Sequence, residues 1–287
     1  MTVTLVSMVR NEAPRIARMI DSVAGFVDHA VILDTGSTDG TQDRAGAALA
    51  AHGISHEIHQ AEWVDYGTCR TQLYSLAEDH DWQLLMDGDM TATIFRGLHD
   101  WLHSPEATAD GYFVQMLQPG LEWRLPMLTR GRQTWTYVGA VHEGLDRTGR
   151  EFGHLFPDNL SIWHHGDNGH DGKLEERLEQ LLASPDDPHS VYYSAQTLRD
   201  LGRIPEAVEA YTRCAGMAGD LAHQWHAGYQ AAALSGNLDA LLALAEARPG
   251  RAEPLRAAAQ LLTQRADRLV MPEGDLFVEP SAYSQSL

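Results

Sequence analysis

Residues 2–90 switch repeatedly between two hydrophobic periods, and that alternation limits the fold more than any other feature. The β-rich run "TVTLVSM" at 2–8 gives way to "APRIARMIDSVAGF", where Ile16, Met19, Ile20 and Val23 recur at helical spacing. "AVILD" predicts a second strand, "DGTQDRAGAALAAHG" a helix ending at Gly53, and "SHEIHQ" a third strand. Residues 68–80 predict another helix and "WQLLMD" a fourth strand. Strands separated by helices of this length fit a parallel sheet covered on both faces. The ligand crevice of such a sheet lies outside the carboxyl ends of its strands. Polar residues gather at those ends: Arg10, Asn11 and Glu12 after the first strand, Asp34 after the second, Asp87 and Asp89 after the fourth.

Two of these ends carry further signals. In "LLMDGDMTAT" a buried strand delivers two carboxylates, Asp87 and Asp89, around Gly88. Such a pair can hold a metal and its phosphates, supply a nucleophile, or cap a helix. "DTGSTDGT" at 34–41 sets Asp34 before a turn of small residues that let a ligand approach the backbone, with Asp39 placed to cap the next helix. Asp34 can accept a hydrogen bond from a nucleobase N–H or a ribose hydroxyl.

The second half of the chain reads differently. "GYFVQML", "EWRLPML" and "LSIW" predict strands between 110 and 165, and from about 171 the chain is helical. Gly202 in "LRDLGRIPEAVEAY" and Gly236 in "AAALSGNLDALLAL" lie 34 residues apart in similar apolar settings, the period of tetratricopeptide (TPR) helix pairs. Three regions are therefore expected: 1–168, 169–270 as TPR-like helices, and a tail at 271–287.

The formal charge is −19, so the chain as a whole repels nucleic acid and polyanionic surfaces. Its basic residues are arginines apart from Lys173, and arginine holds phosphate bidentately. No apolar run reaches the ~18 residues of a bilayer span. Two cysteines far apart, Cys69 and Cys214, do not suggest a disulfide framework. The chain is expected to be cytoplasmic, without stable membrane insertion.

"VSMVRNEA", "VILDTGSTDGT", "DYGTCRTQLYSLAEDHDWQLLMDGDM" and "VGAVHEGL", in that order, resemble family 2 glycosyltransferases of the GT-A fold. The likeness is to the subgroup with "DTGSTDGT" and "VHE" segments, often followed by TPR-like helices. It implies an α/β fold: a GT-A, Rossmann-like mixed sheet flanked by helices, ahead of a helical C-terminal region. It implies transfer of a sugar from a nucleotide diphosphate sugar, typically with inversion and with Mn²⁺ or Mg²⁺, to an acceptor the motifs do not identify: peptide side chain, glycan or small metabolite. A second copy of the chain, joined through the helical region, is a candidate partner.

The resemblance also implies site roles. Val9, Arg10, Asn11, Glu12, Asp34, Arg70, Asp87 and Gly88 would meet the nucleotide and its diphosphate. Asp89, with Asp87 and a histidine two residues before a glycine, His164, would meet the metal. Strand alternation points the neighbouring His165 the other way. Glu143 would be the base that takes the acceptor proton, with His142 orienting it or touching phosphate. Asp110 and Glu122 are weaker candidates for that base, and Trp123, Trp135 and Tyr137 are candidates for an acceptor platform. Many family members carry a second aspartate where Thr35 stands, so uridine is favoured without being fixed.

Three rival readings carry other chemistry. A nucleotidyltransferase shares the sheet type but consumes a nucleoside triphosphate. "LLMDGDMT" also matches the opening of haloacid dehalogenase phosphatases, with Asp87 as nucleophile, Asp89 as acid/base, and Lys173 and "PDDP" at 185–188 as later motifs. A noncatalytic binding protein would use the helical region alone.

Overall fold

The computed structural model describes residues 2–140, 143–166, 174–219 and 221–266. They form two compact units, residues 1–172 and 173–287. His142, Lys173, the 168/169 boundary and the expected tail lie outside the described residues.

The first unit is built on one mixed sheet. Strands β1 (Val3–Val9), β2 (His29–Asp34), β3 (Ser55–Gln60) and β4 (Trp82–Leu85) alternate with helices α1 (Ile16–Val23), α2 (Thr41–Ala51) and α3 (Tyr66–Leu76). There follow β5 (Met90–Ile94), α4 (Leu98–Leu102), β6 (Gly111–Gln118), β7 (Leu121–Arg130), β8 (Tyr137–Val138), β9 (Gly144–Leu145), β10 (Phe152–His154) and β11 (Leu160–His164). The order is β3-β2-β1-β4-β7-β6-β11-β5, with β10 beside β6. β1, β2, β3 and β4 run parallel, as the sequence predicts. Beyond β4 the sheet becomes mixed, as the resemblance implies: β7 is antiparallel to both β4 and β6, and β5 is antiparallel to β11.

The core explains the periods. β1 is buried on both faces, so it reads as a continuous apolar run. In α1 the residues at helical spacing, Ile16, Met19, Ile20 and Val23, are the buried ones. Gly67 in the first turn of α3 packs so closely that an added Cβ would lie 2.5 Å from the Gly139 carbonyl oxygen. Tyr66 N–H donates to Ala140 O at 3.0 Å and Tyr137 N–H to Thr71 Oγ1 at 2.9 Å. The start of α3 thus fixes the segment that leads into Glu143.

The second unit is helical: α5 (Leu174–Leu182), α6 (Pro188–Asp200), α7 (Ile204–Gly216), α8 (Leu221–Ser235), α9 (Leu238–Ala247) and α10 (Glu253–Ala266). Gly202 and Gly236, both with positive φ (74° and 67°), end α6 and α8 and turn the chain into α7 and α9. That left-handed conformation is why glycine recurs at the 34-residue spacing.

Candidate functional site

Three strand ends of the first unit meet on one edge of the sheet. Val9 pairs with Asp34 across β1 and β2, and Val6 pairs with Leu85 across β1 and β4. Asp34, Asp87 and the Arg10–Glu12 segment therefore share the carboxyl edge.

The loops after β1 and β2 bind each other. Asn11, at φ 58°, accepts from Thr38 N–H through Oδ1 at 2.9 Å, and its own N–H donates to Ser37 Oγ at 2.9 Å. Glu12 N–H donates to Thr41 Oγ1 at 2.8 Å and Ala13 N–H to Asp39 Oδ2 at 3.1 Å. Asp39 also accepts from Thr41 N–H, so it ties the end of β1 to the start of α2 as well as serving the turn. Arg10 stands exposed at the rim.

Asp34 is fully buried. Its Oδ1 accepts from Gly36 N–H at 2.8 Å and Ser37 N–H at 2.7 Å, while its buried Oδ2 has no hydrogen-bond partner among the described residues. A buried acceptor without a donor is costly, so this oxygen suits a ligand N–H or O–H. Thr35 differs: its backbone N–H and its hydroxyl both donate to the Val9 carbonyl, at 3.0 and 3.3 Å. This uncharged side chain is spent on the β1 end.

Arg70 on α3 joins two of the named carboxylates. Its Nη2 donates to Asp87 Oδ1 and Oδ2 at 3.1 and 3.0 Å, and its Nε donates to Glu143 Oε1. Burial works against the Arg70 charge, but Asp87 and Glu143 outweigh it and hold the guanidinium well above its ordinary range. Its Nη1 is buried and has no partner among the described residues, a donor suited to an anionic oxygen.

Asp89 is 1% exposed. His164 at the end of β11 brings Nε2 to 3.2 Å from Asp89 Oδ2. His165 turns away, its Nε2 hydrogen-bonded to Thr91 Oγ1 at 2.9 Å. Glu12 lies over Gly88, where an added Cβ would meet the Glu12 side chain at 2.7 Å and push it aside. Burial pushes the Glu12 carboxyl up, Arg15 at 2.7 Å opposes that, and the charges of Asp89 and Asp87 add to the rise.

Other candidates lie elsewhere. Asp110 precedes β6, at the opposite edge, where Gln133 and the Glu151 N–H hold its carboxylate at 2.8 and 2.9 Å. Trp135 and Tyr137 are buried, the first donating to Arg130 O and the second to Tyr74 Oη. Neither offers a platform. Trp123 is half-buried, with its ring 6.4 Å from that of His164. Glu122 is exposed on the other face of β7 and accepts from Gln115 at 3.0 Å. Asp187 caps α6 through Ser190 N–H, which gives it a structural task in the helical unit.

Sequence reasoning did not reveal the Arg70 bridge or the seating of Glu12 on Gly88, because each joins segments dozens of residues apart. The glycine between two aspartates was the one local signal of a close approach.

The fold is of the GT-A type: a mixed α/β sheet flanked by helices, followed by a helical C-terminal part. S. aureus TarS 1–349, solved in complex with UDP-GlcNAc, superposes with a TM-score of 0.51 at 13% identity, covering 97% of this chain and 97% of that one. A longer S. aureus TarS structure gives a TM-score of 0.52 at 12% identity, covering 97% of this chain and 57% of that one. A TPR repeat-containing protein of Synechococcus elongatus is 32% identical over 149 residues, 50% of this chain and 35% of the relative. The chain thus spans about a third of the length of the curated relative it matches. No protein-family model matches it.

Proposed function

We propose that the chain is a glycosyltransferase that moves a sugar from a nucleotide diphosphate sugar, with a uridine donor favoured, by an inverting and metal-dependent reaction. The observation that carries this reading is the meeting of Asp34, Arg70, Asp87, Asp89, Glu143 and His164 in a fold shared with a UDP-GlcNAc complex. Residues 1–168 form the catalytic part in this reading, and the TPR-like helices and the tail serve acceptor binding or self-association.

Asp89 and His164 supply a carboxylate and an imidazole side by side, and among the described residues no group of three ligating side chains surrounds a point. The carboxylate fits Mn²⁺ or Mg²⁺, hard cations whose shell water and substrate phosphate can complete, and the imidazole is the weaker donor to either. A bound cation would offset the charge that builds on the diphosphate as the sugar leaves.

The chain's own groups do the rest. Asp34 Oδ2 accepts from the base or the ribose. Arg70 Nη1 donates to a phosphate oxygen, and Asp87, held by Arg70, faces the nucleotide. Glu143 takes the acceptor proton at its carboxylate, positioned by Arg70 Nε. Panels of UDP, GDP and dTDP sugars with Mg²⁺ or Mn²⁺ test the reading by thermal shift and donor hydrolysis. A nucleotide-plus-metal shift larger than nucleotide alone is expected, and Asp34→Ala should remove it. Equal shifts with and without metal would defeat it. Release of pyrophosphate from a triphosphate, or a trapped phosphoryl-Asp87, would favour the nucleotidyltransferase or phosphatase instead.

A further inference from the structure

The β6–β7 hairpin turns at Pro119-Gly120, with Gly120 at φ 75°, and its tip stands at the carboxyl edge of β6. Register fixes what it presents there. Leu121 pairs with Gln118, Trp123 with Met116 and Leu125 with Val114. Met116 pairs in turn with Ile162 of β11, two residues before His164. Directly paired residues face the same way, and residues two apart on a strand share a face. Leu121, Trp123, Leu125, Gln118 and His164 therefore lie on one side of the sheet.

Most of that side is core: Met116, Val114 and Ile162 are fully buried. The strip along β7 is not. Leu121 is 56% and Leu125 38% exposed, and Trp123 between them is half-buried, its ring steeply inclined to that of His164 at 6.4 Å. An apolar strip left open on the same face as the polar Gln118 and His164 calls for an occupant that is apolar on one face and polar at its rim.

We infer that Leu121, Trp123 and Leu125 form an acceptor platform for a saccharide, whose ring C–H face stacks on Trp123 while its hydroxyls reach the Gln118 amide. This deepens the glycosyltransferase reading and rests on it for the word acceptor. The chemistry separates a sugar from a lipid chain. No described residue hydrogen-bonds the Gln118 side-chain amide, and a hydrocarbon would leave that amide unpaired next to the end of β11. A pyranose ring, with C–H bonds on one face and hydroxyls around it, satisfies both the indole and the amide. The strip continues from His164, so a ring seated there lies next to the proposed donor.

The test is saturation-transfer NMR on the full chain with UDP and Mg²⁺ and, in turn, maltotetraose, cellotetraose and chitotetraose. At least one tetrasaccharide should receive saturation, strongest on ring C–H protons. Trp123→Ala should cut that signal at least ~5-fold, Trp123→Phe should keep part of it, and Leu125→Ser should weaken it. The UDP signals should stay as in wild type in all three variants. Stacking tolerates differences in linkage, so absence of signal from all three saccharides overturns the platform. Loss of the UDP and saccharide signals together in Trp123→Ala also overturns it, because Trp123 would then be packing for the donor site. A wild-type protein that binds saccharide through Trp123 but not UDP keeps the platform and sinks the donor reading.

Discussion

The two halves of the sheet finish their carboxyl edges in opposite ways. On the β3-β2-β1-β4 side, the loops spend their polar groups on each other: Asn11 on Ser37 and Thr38, Glu12 on Thr41, Ala13 on Asp39. On the β7-β6-β11-β5 side the strip running in from the edge leaves apolar groups open, with Leu121 and Leu125 56% and 38% exposed. A loop pair already ordered by its own hydrogen bonds gives up little entropy when a ligand arrives. Open apolar surface gains from being covered. The first half has the character of a preformed receptacle for one defined ligand, and the second that of a surface for something more variable.

Substitutions can break that contrast. The largest expected effect is Asp89→Ala: metal-dependent donor hydrolysis and transfer should be abolished while the circular dichroism spectrum is kept. In the proposed reading Asp89 holds the cation, and a cation at the diphosphate is worth several kcal/mol of charge stabilisation. If activity survives at wild-type level, the pairing of Asp89 with His164 is structural only. Next comes Glu143→Gln, which preserves shape and removes the accepting charge. Turnover should fall ~10²–10⁴-fold, with donor affinity by calorimetry nearly unchanged. Turnover within a few-fold of wild type would exclude Glu143 as base. Asp110 could not then replace it, since it sits on the opposite edge; Glu122, exposed on β7, would be next.

Gly67→Ala tests how α3 holds the 137–140 segment. The new methyl would collide with the Gly139 carbonyl, a backbone atom with little freedom to yield. A cost of about 1–3 kcal/mol in urea unfolding is expected, together with reduced turnover because α3 carries Arg70. A neutral result would show that the 137–140 segment shifts freely.

Much of the first half was legible because its contacts are local in pattern. The strands β1 to β4 follow from apolar runs, and Asp34 and Asp87 sit where those runs stop. The second half was harder to read. β5 finds its partner β11 some seventy residues away, Met90 against His164, and no local period announces such a pairing. Trp135 and Tyr137 looked like platform residues because aromatic type does not reveal burial; Trp123, one strand earlier, is the one left partly open. The alternation of His164 and His165 was legible, since a strand's period of two depends on nothing distant: one meets Asp89, the other Thr91.

The smallest expected effect falls on the edge away from the site. The Glu151 N–H and the Gln133 amide hold the Asp110 carboxyl below its ordinary value of 3.8, with the Arg150 and Arg130 charges adding to this. A carboxyl whose pKa is lower in the folded than in the unfolded chain stabilises the fold above its unfolded value. That contribution is lost as pH falls through the folded value. Asp110→Asn should therefore lower the melting temperature at pH 7 only slightly, on the order of one or two degrees for so accessible a group. The gap between variant and wild type should shrink below pH 3.8 and close where both forms are uncharged. Donor hydrolysis at pH 7 should be unchanged, because the residue lies at the edge opposite Asp34 and Asp87. A melting gap that persists undiminished into acid would show that Asp110 acts through hydrogen-bond geometry and not through its charge. A loss of hydrolysis without a loss of stability would mean that the two edges of the sheet are coupled, and the division of labour between them would have to be redrawn.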